Sequence, residues 1–361
     1  MSSVLAERAR STFAPPRYIA RSLSGIDIST SGVKAVRLTE SLHGLVLAKY
    51  AEERLPSGAF VDGEIVDNAV VAEKLIAIAK ATDIFAANVA LPESRSFIFE
   101  ASVSGSTPEE WRIGVEQHLD ELVPLPPTET AFDIVNIGND ENNTRVAGVG
   151  FARRIVEDTL SIFDKTHIEV RAFEEEAFAM ARALLPAGDE STVLLIDIGK
   201  TTTKVAVATK RIPRFSTTIG IGGHAFTLAV QKYFGVTEEE ARKVKAERGI
   251  TPSKGNEEYL AAMLSTASAI RDEISHCLDY WQEKASTEHA HEPVSHIILY
   301  GGNASIKGLP EYFEGTFKIP VVSGDVFTNF ASRDEWIPSL HYTESLAYAT
   351  AIGLALYDHQ K

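Results

Sequence analysis

The sequence predicts an α/β fold of two duplicated lobes with an inserted small α/β subdomain, and three observations predict it. The first is a duplication: Gly25-Ile-Asp-Ile-Ser-Thr-Ser-Gly-Val-Lys34 returns as Leu195-Ile-Asp-Ile-Gly-Lys-Thr-Thr-Thr-Lys204. Each copy reads as an apolar strand ending at an Asp, a tight turn of small or hydroxyl residues, and a Lys opening a second apolar strand. The second is the alternation of short β-rich runs with helix-period segments in both halves. The third is a stretch within the first half that carries its own helix, a Val123-Pro-Leu-Pro-Pro127 stop and a polar loop at 138–144.

In chain order, residues 1–22 are expected as a flexible tail and 23–103 as the first lobe, with strands Gly25–Ile28, Val33–Leu38 and Leu45–Glu52, a helix near Ala69–Ala81, and extended runs at Val89–Leu91 and Phe97–Val103. Residues 104–151 form the insert, whose helix opens at Thr107-Pro-Glu-Glu110 and stops at Val123, before paired strands Ala131–Ile137 and Val146–Phe151. Residues 152–190 return to the first lobe through a helix, a strand at Ile168–Phe173 and a connecting helix at Glu174–Leu185. The second lobe, 191–342, continues through strands Lys204–Thr209 and Arg214–Ile219 to helices at 225–234, at 237–249 and at 256–283. Thr237 followed by three Glu marks a helix start, and Gly249 its end. Strand Ser295–Tyr300 runs into Gly301-Gly302-Asn303, read as opening a helix, and residues 343–361 hold a closing helix, Thr343–Tyr357.

A formal net charge of -15 repels a phosphate backbone, so nucleic acid is excluded as a partner. A lone Cys277 forms no internal disulfide, which fits a reducing cytoplasm. The first 21 residues lack a signal peptide's apolar core, and the stretch Leu346–Tyr357 is too short to span a bilayer, so the chain is expected to be soluble. Arg8, Arg10, Arg17 and Arg21 give the tail a basic bias; a disordered tail outweighs a membrane or acidic-partner contact. His289 and His291 have a metal-like spacing without a third ligand, and a solvated loop is the expectation.

An Asp at a buried strand end, followed by a hydroxyl-rich turn, suits a nucleoside triphosphate. The carboxylate can hold Mg²⁺ directly or through water, and the turn's N–H and hydroxyl groups face phosphate oxygens. Asp27 with Ser29, Thr30, Ser31 and Lys34 supplies one clamp; Asp197 with Gly199, Lys200, Thr201 and Thr202 supplies the other. One clamp alone is usually structural, whereas two in one chain imply a shared site. Gly220-Ile-Gly-Gly223 and Gly301-Gly302-Asn303 are turns where missing side chains let a base and ribose approach, although each also reads as an ordinary strand-to-helix turn. No intact G-x-G-x-x-G or G-x-x-x-x-G-K-[ST] is present, which sets aside dinucleotide and P-loop sites.

With these motifs in this order the chain resembles the actin-like ATPases, the group of sugar kinases, heat-shock chaperone ATPase domains, FtsA and PilM. The resemblance implies a first phosphate loop at Asp27–Lys34, a second at Asp197–Thr203, and an adenosine motif at Tyr300–Leu309. Glu176-Ala-Phe-Ala-Met-Ala-Arg182, Ile221-Gly-Gly-His-Ala-Phe-Thr227 and Tyr348–Leu356 resemble the connecting helix, hinge turn and closing helix of the type IV pilus assembly protein PilM family. On that resemblance Gly222, Gly223, Lys245, Gly301, Gly302 and Asn303 join the nucleotide site, and ATP with Mg²⁺ is its ligand. Departures are Ser29 and Asn303, each for a Gly, Lys200 for a small residue, and Arg242 for a Glu.

Hydrolysis would need an acid on the connecting helix to position water. Glu176 is the candidate and Glu175 the second, with dipole stabilisation at the helix start as the competing role. The resemblance further implies a cytoplasmic platform, peripheral at the inner membrane, that takes the short tail of a PilN-like protein beside the insert, communicates with pilus motor ATPases and can self-associate. An FtsA-like division tether and a small-molecule kinase are the alternatives. The first lacks its amphipathic end in Tyr357-Asp-His-Gln-Lys361, and the second lacks a convincing catalytic Asp.

Overall fold

The computed structural model describes residues 23–139, 143–287 and 291–359. The basic tail and His289 lie outside the described residues. The chain opens with a meander of β1 (Ser24–Ser29), β2 (Gly32–Ser41) and β3 (Gly44–Arg54), then a small hairpin of β4 (Phe60–Val61) and β5 (Glu64–Ile65). Helix α1 (Asn68–Thr82) starts where Asp67 accepts the Val70 N–H at 3.1 Å and ends on Asp83 in the left-handed region. β6 (Ala86–Leu91) follows, and then β7 (Ser96–Val103).

The expected insert helix is broken into α2 (Pro108–Glu116) and α3 (Leu119–Leu122). Thr107 and Glu110 close a reciprocal capping box at its start. The break falls at 117–118, where the Gln117 N–H reaches back to both Ile113 and Val115 carbonyls, tightening the last turn. β8 (Thr130–Asn139), β9 (Thr144–Ala152), α4 (Arg153–Phe163), β10 (Glu169–Glu175) and α5 (Glu176–Leu184) complete this half.

The second half repeats the plan: β11 (Thr192–Ile198), β12 (Thr203–Thr209), β13 (Ile212–Ile219), α6 (Gly223–Phe234), α7 (Glu238–Arg248), α8 (Glu257–Thr287), β14 (His296–Tyr300), α9 (Leu309–Phe317) and β15 (Val321–Ser323). The chain closes with α10 (Tyr342–Ser345) and α11 (Ala349–Ala355). Two five-stranded sheets result, in orders β10-β6-β1-β2-β3 and β13-β12-β11-β14-β15. Read from β15, the second matches the first: two parallel strands, then an antiparallel meander. The motif duplication is therefore a duplication of sheet topology.

Three expectations need correction. β7, read as the last strand of the first lobe, pairs with β9 in the three-stranded insert sheet β7-β9-β8, so that sheet begins ahead of the 104–151 span. Its alternating Phe97, Phe99, Ala101 and Val103 cover α2 and α3, and that apolar face decides the pairing. The helix after Gly301-Gly302-Asn303 begins only at Leu309, because 301–308 is a run of turns. The closing helix is interrupted at Leu346, whose carbonyl accepts the Gly301 N–H at 3.3 Å and ties the break to the second lobe. The final segment, α11, packs against β1 and α5. A Cβ on Gly353 would stand 1.8 Å from the Ala179 carbonyl oxygen, so only glycine allows that approach.

Candidate functional site

β1 and β2 pair so that Asp27 faces Lys34 directly, and β11 and β12 pair so that Asp197 faces Lys204. Directly opposed residues share one face of the sheet, so each hairpin presents a carboxylate and an ammonium together. The two turns touch, with Thr30 Oγ1 3.1 Å from Thr201 Oγ1 across the lobes. Between them lies a cleft of about 280 Å³. Its walls include Asp27, Ser29, Thr30, Ser31, Lys34, Asp197, Gly199, Lys200, Thr202, Gly301, Gly302 and Asn303, all anticipated from sequence. Thr201 reaches it through its contact with Thr30.

Burial dominates the electrostatics. Desolvation raises the Asp27 carboxyl to about 6, against the opposing pull of Lys34. Asp197 is likewise raised to about 6 by burial, against Lys204. Among the described residues Asp27 Oδ1 is buried with no hydrogen-bond partner, so the cleft holds a hard oxygen whose acceptor capacity is unused. Two hard carboxylate oxygens therefore fit Mg²⁺ held through water, and three lysines on the walls, Lys34, Lys200 and Lys204, oppose an anionic ligand. Gly301 has φ +95°, and a Cβ there would lie 2.0 Å from Asp197 Oδ1, so this glycine gives the carboxylate its room.

Gly222, Gly223 and Lys245 stand behind the wall. A Cβ on Gly222 would meet the Thr202 backbone nitrogen at 2.6 Å, and one on Gly223 would meet Asn303 Cγ at 2.0 Å. These glycines admit protein atoms, where sequence pointed to a base and ribose. Asn303 explains its own departure from glycine: Nδ2 donates to the Gly199 carbonyl at 2.9 Å, and Oδ1 accepts from Lys245 Nζ at 2.7 Å. Lys245 also donates to the Gly223 carbonyl at 3.0 Å and Thr227 Oγ1 at 3.1 Å, and burial lowers it to about 8. The three loops are thus one braced unit.

Glu176 lies off the cleft wall. Its Oε2 accepts Lys204 Nζ at 2.5 Å and the Glu93 backbone N–H at 3.1 Å. Glu175 caps α5, accepting the Ala177 N–H at 2.9 Å, and burial, with Glu93 and Glu176 adding repulsion, pushes its carboxyl well up. Of the two roles weighed for the acidic run, the helix-start role falls to Glu175, while Glu176 is engaged by Lys204. Lys204 itself, Glu52 and Thr350 line the cleft without having been anticipated as ligands. The duplication that marks Lys34 marks Lys204 equally, so that signal was available; for Thr350 no local signal exists.

A second concavity, about 590 Å³, runs between the insert sheet and the first lobe. One wall is the face of β8 and β9 carrying Asp133, Val135, Ala147, Val149 and Phe151. Phe173, Glu174, Glu175, Phe178 and Arg182 also line the concavity, with Lys210–Ile212 and Tyr357. Arg182 pairs with Glu174, donates to the Gly353 carbonyl at 3.0 Å and sits over the Tyr357 ring at 5.1 Å. The expected solvated loop at His291 is instead buried: the ring meets Trp281 at 4.9 Å, with Nδ1 3.8 Å from Glu100. Among the described residues no cluster of three or more His, Cys, Asp or Glu forms a metal site, and no helix is long and apolar enough to cross a membrane.

Duplicated sheets closing on a cleft between two acidic hairpins define the actin-like ATPase fold. The MreB 5 structure from Spiroplasma citri bound to AMPPNP shares it at TM-score 0.54 and 16% identity, covering 93% of this chain and 95% of that one. The ethanolamine utilization protein EutJ from Carboxydothermus hydrogenoformans is similar at TM-score 0.53 and 15% identity, covering 99% and 100%. A structure of a PilM-PilN type IV pilus biogenesis complex matches at TM-score 0.76 and 17% identity, over 95% of this chain and 99% of that one. The family model described as type IV pilus assembly protein PilM matches residues 25–359, and the chain belongs to that family. The division-tether and kinase alternatives are not favoured by that match.

Proposed function

We propose that the protein is a platform for type IV pilus assembly that binds ATP in the interlobe cleft and the cytoplasmic tail of a PilN-like inner-membrane protein in the groove beside the insert. The observation that carries the nucleotide reading is the pair of Asp–Lys hairpins facing one another across one cleft, with Asp27 Oδ1 buried and without a hydrogen-bond partner among the described residues. Asp27 and Asp197 would hold Mg²⁺, which supplies positive charge between the carboxylates and the phosphates. Lys34 and Lys200 take phosphate oxygens, and the turn hydroxyls of Ser29, Thr30, Ser31 and Thr202 orient them. The nucleotide in the related MreB 5 structure supports the same use of the fold.

For the groove, a relative solved as a PilM-PilN complex supports a PilN-like partner. A lining that joins apolar Val149, Phe151, Phe173 and Phe178 with charged Asp133, Arg182 and Lys210 suits a short extended segment. Association with the inner membrane then runs through that partner. Glu174 and Glu175 line the groove while the next residue, Glu176, binds Lys204 on the cleft, so one strand-to-helix junction touches both sites. Nucleotide binding therefore shifts groove affinity. Calorimetric titration with the tail peptide, with and without Mg-ATP, tests this; equal affinities remove the coupling, and absence of peptide binding removes the groove.

A further inference from the structure

We propose that Lys204 is a positioning residue that holds Glu176 out of reach of water, so that the cleft retains a nucleoside triphosphate instead of turning it over. The inference rests on the cleft being a triphosphate site. Lys204 projects from β12 directly opposite Asp197 and lines the cleft, yet its Nζ lies 2.5 Å from Glu176 Oε2. That oxygen also accepts the Glu93 N–H at 3.1 Å, and the Glu176 side chain is only 3% exposed. Both lone pairs of Oε2 are thereby engaged by protein donors, one of them charged.

The duplication supplies the internal comparison. Lys34, the counterpart on the first lobe, donates to Ser31 Oγ at 2.9 Å and approaches only the half-exposed Glu52, at 3.9 Å. One lysine of the pair is available to a phosphate; the other is committed to a carboxylate.

The step being restrained is water attack on the γ-phosphorus. A new P–O bond forms, the bond to the bridging oxygen of the diphosphate breaks, and one water proton passes to a carboxylate, leaving nucleoside diphosphate and inorganic phosphate. With Lys204 removed, Glu176 Oε2 keeps only the Glu93 N–H and gains a lone pair that can take a water proton.

The test uses the full chain, with ATP binding followed by calorimetry and phosphate release by a coupled assay, in wild type, Lys204→Met and Lys204→Met/Glu176→Gln. Expected is slow wild-type release, at least tenfold higher kcat in K204M with KM changed only a few-fold, and return to the slow rate in the double variant. Lys204→Gln, polar and less disruptive to the buried strand, carries the same expectation should K204M fail to fold. Variants that bind ATP but release phosphate no faster than wild type overturn the lock while leaving the site intact. A wild-type protein that binds no ATP overturns the site reading, and the lock with it.

Discussion

The two clamp hairpins have the same register and the same Asp–Lys pairing, yet they differ in what surrounds the lysine. On the first lobe Lys34 is held by a hydroxyl and a loose approach to Glu52, whose side chain is 37% exposed. On the second, Lys204 is fixed to a carboxylate that is 3% exposed and is flanked by Glu93 and Asp197. A duplicated motif has thus been divided into a ligand-facing half and an internally braced half. Sequence identity between copies conveys position, whereas the partner, supplied by other elements, decides role.

The largest expected effect comes from breaking the braced half. Glu176→Ala leaves Lys204 as a buried ammonium without its counter-charge, which costs about 3–5 kcal/mol of folding stability. Urea denaturation should show a large fall in the midpoint; a loss below about 1 kcal/mol contradicts the bracing.

Next is the cost of the carboxylates themselves. Asp27 and Asp197 both rise from 3.8 to about 6, so in the ligand-free fold each is protonated at pH values where the unfolded chain has already ionised. The stability this protonation contributes is whole below about pH 4 and lost as pH rises through 6. Asp27→Asn should therefore stabilise the ligand-free protein above pH 6, by up to about 3 kcal/mol, and leave it unchanged near pH 4. Melting curves at the two pH values check it, and an equal gain at both contradicts burial as the cause.

Lys34→Met sharpens the other half. Its ion pair to Glu52 is long, at 3.9 Å, and Glu52 is partly exposed, so the folding cost should be smaller than at Glu176, with the loss of its charge opposite Asp27 as the main contribution. ATP affinity should nevertheless fall about 10–100-fold, the worth of one charge-assisted hydrogen bond to phosphate. The smallest effect is expected at the cross-lobe contact: Thr30→Ala or Thr201→Ala removes a single exposed hydroxyl pair, and affinity should change less than about fivefold.

The hairpins, their duplication and most cleft residues were legible because strand, turn and strand are encoded within ten consecutive residues. What was hidden depends on distant partners. β7 joins the insert only because its Phe97–Val103 alternation finds α2 and α3, and the Leu346 break only makes sense beside Gly301. Gly222, Gly223 and Lys245 were read as ligand contacts because small residues and a lysine near a turn carry no label for what fills the space; here Thr202 and Asn303 fill it. The Lys204–Glu176 pair spans two lobes and the groove spans several separate segments, so neither has a local pattern.

The central claim, one triphosphate held between the two hairpins, is tested most directly by calorimetric titration of the full chain with ATP in the presence of Mg²⁺. The account predicts one site per chain in the wild type and affinity at least tenfold weaker in Asp27→Asn and in Asp197→Asn, with both variants folded. Undiminished binding in the Asp27→Asn/Asp197→Asn double variant, or no binding by the wild type, contradicts it.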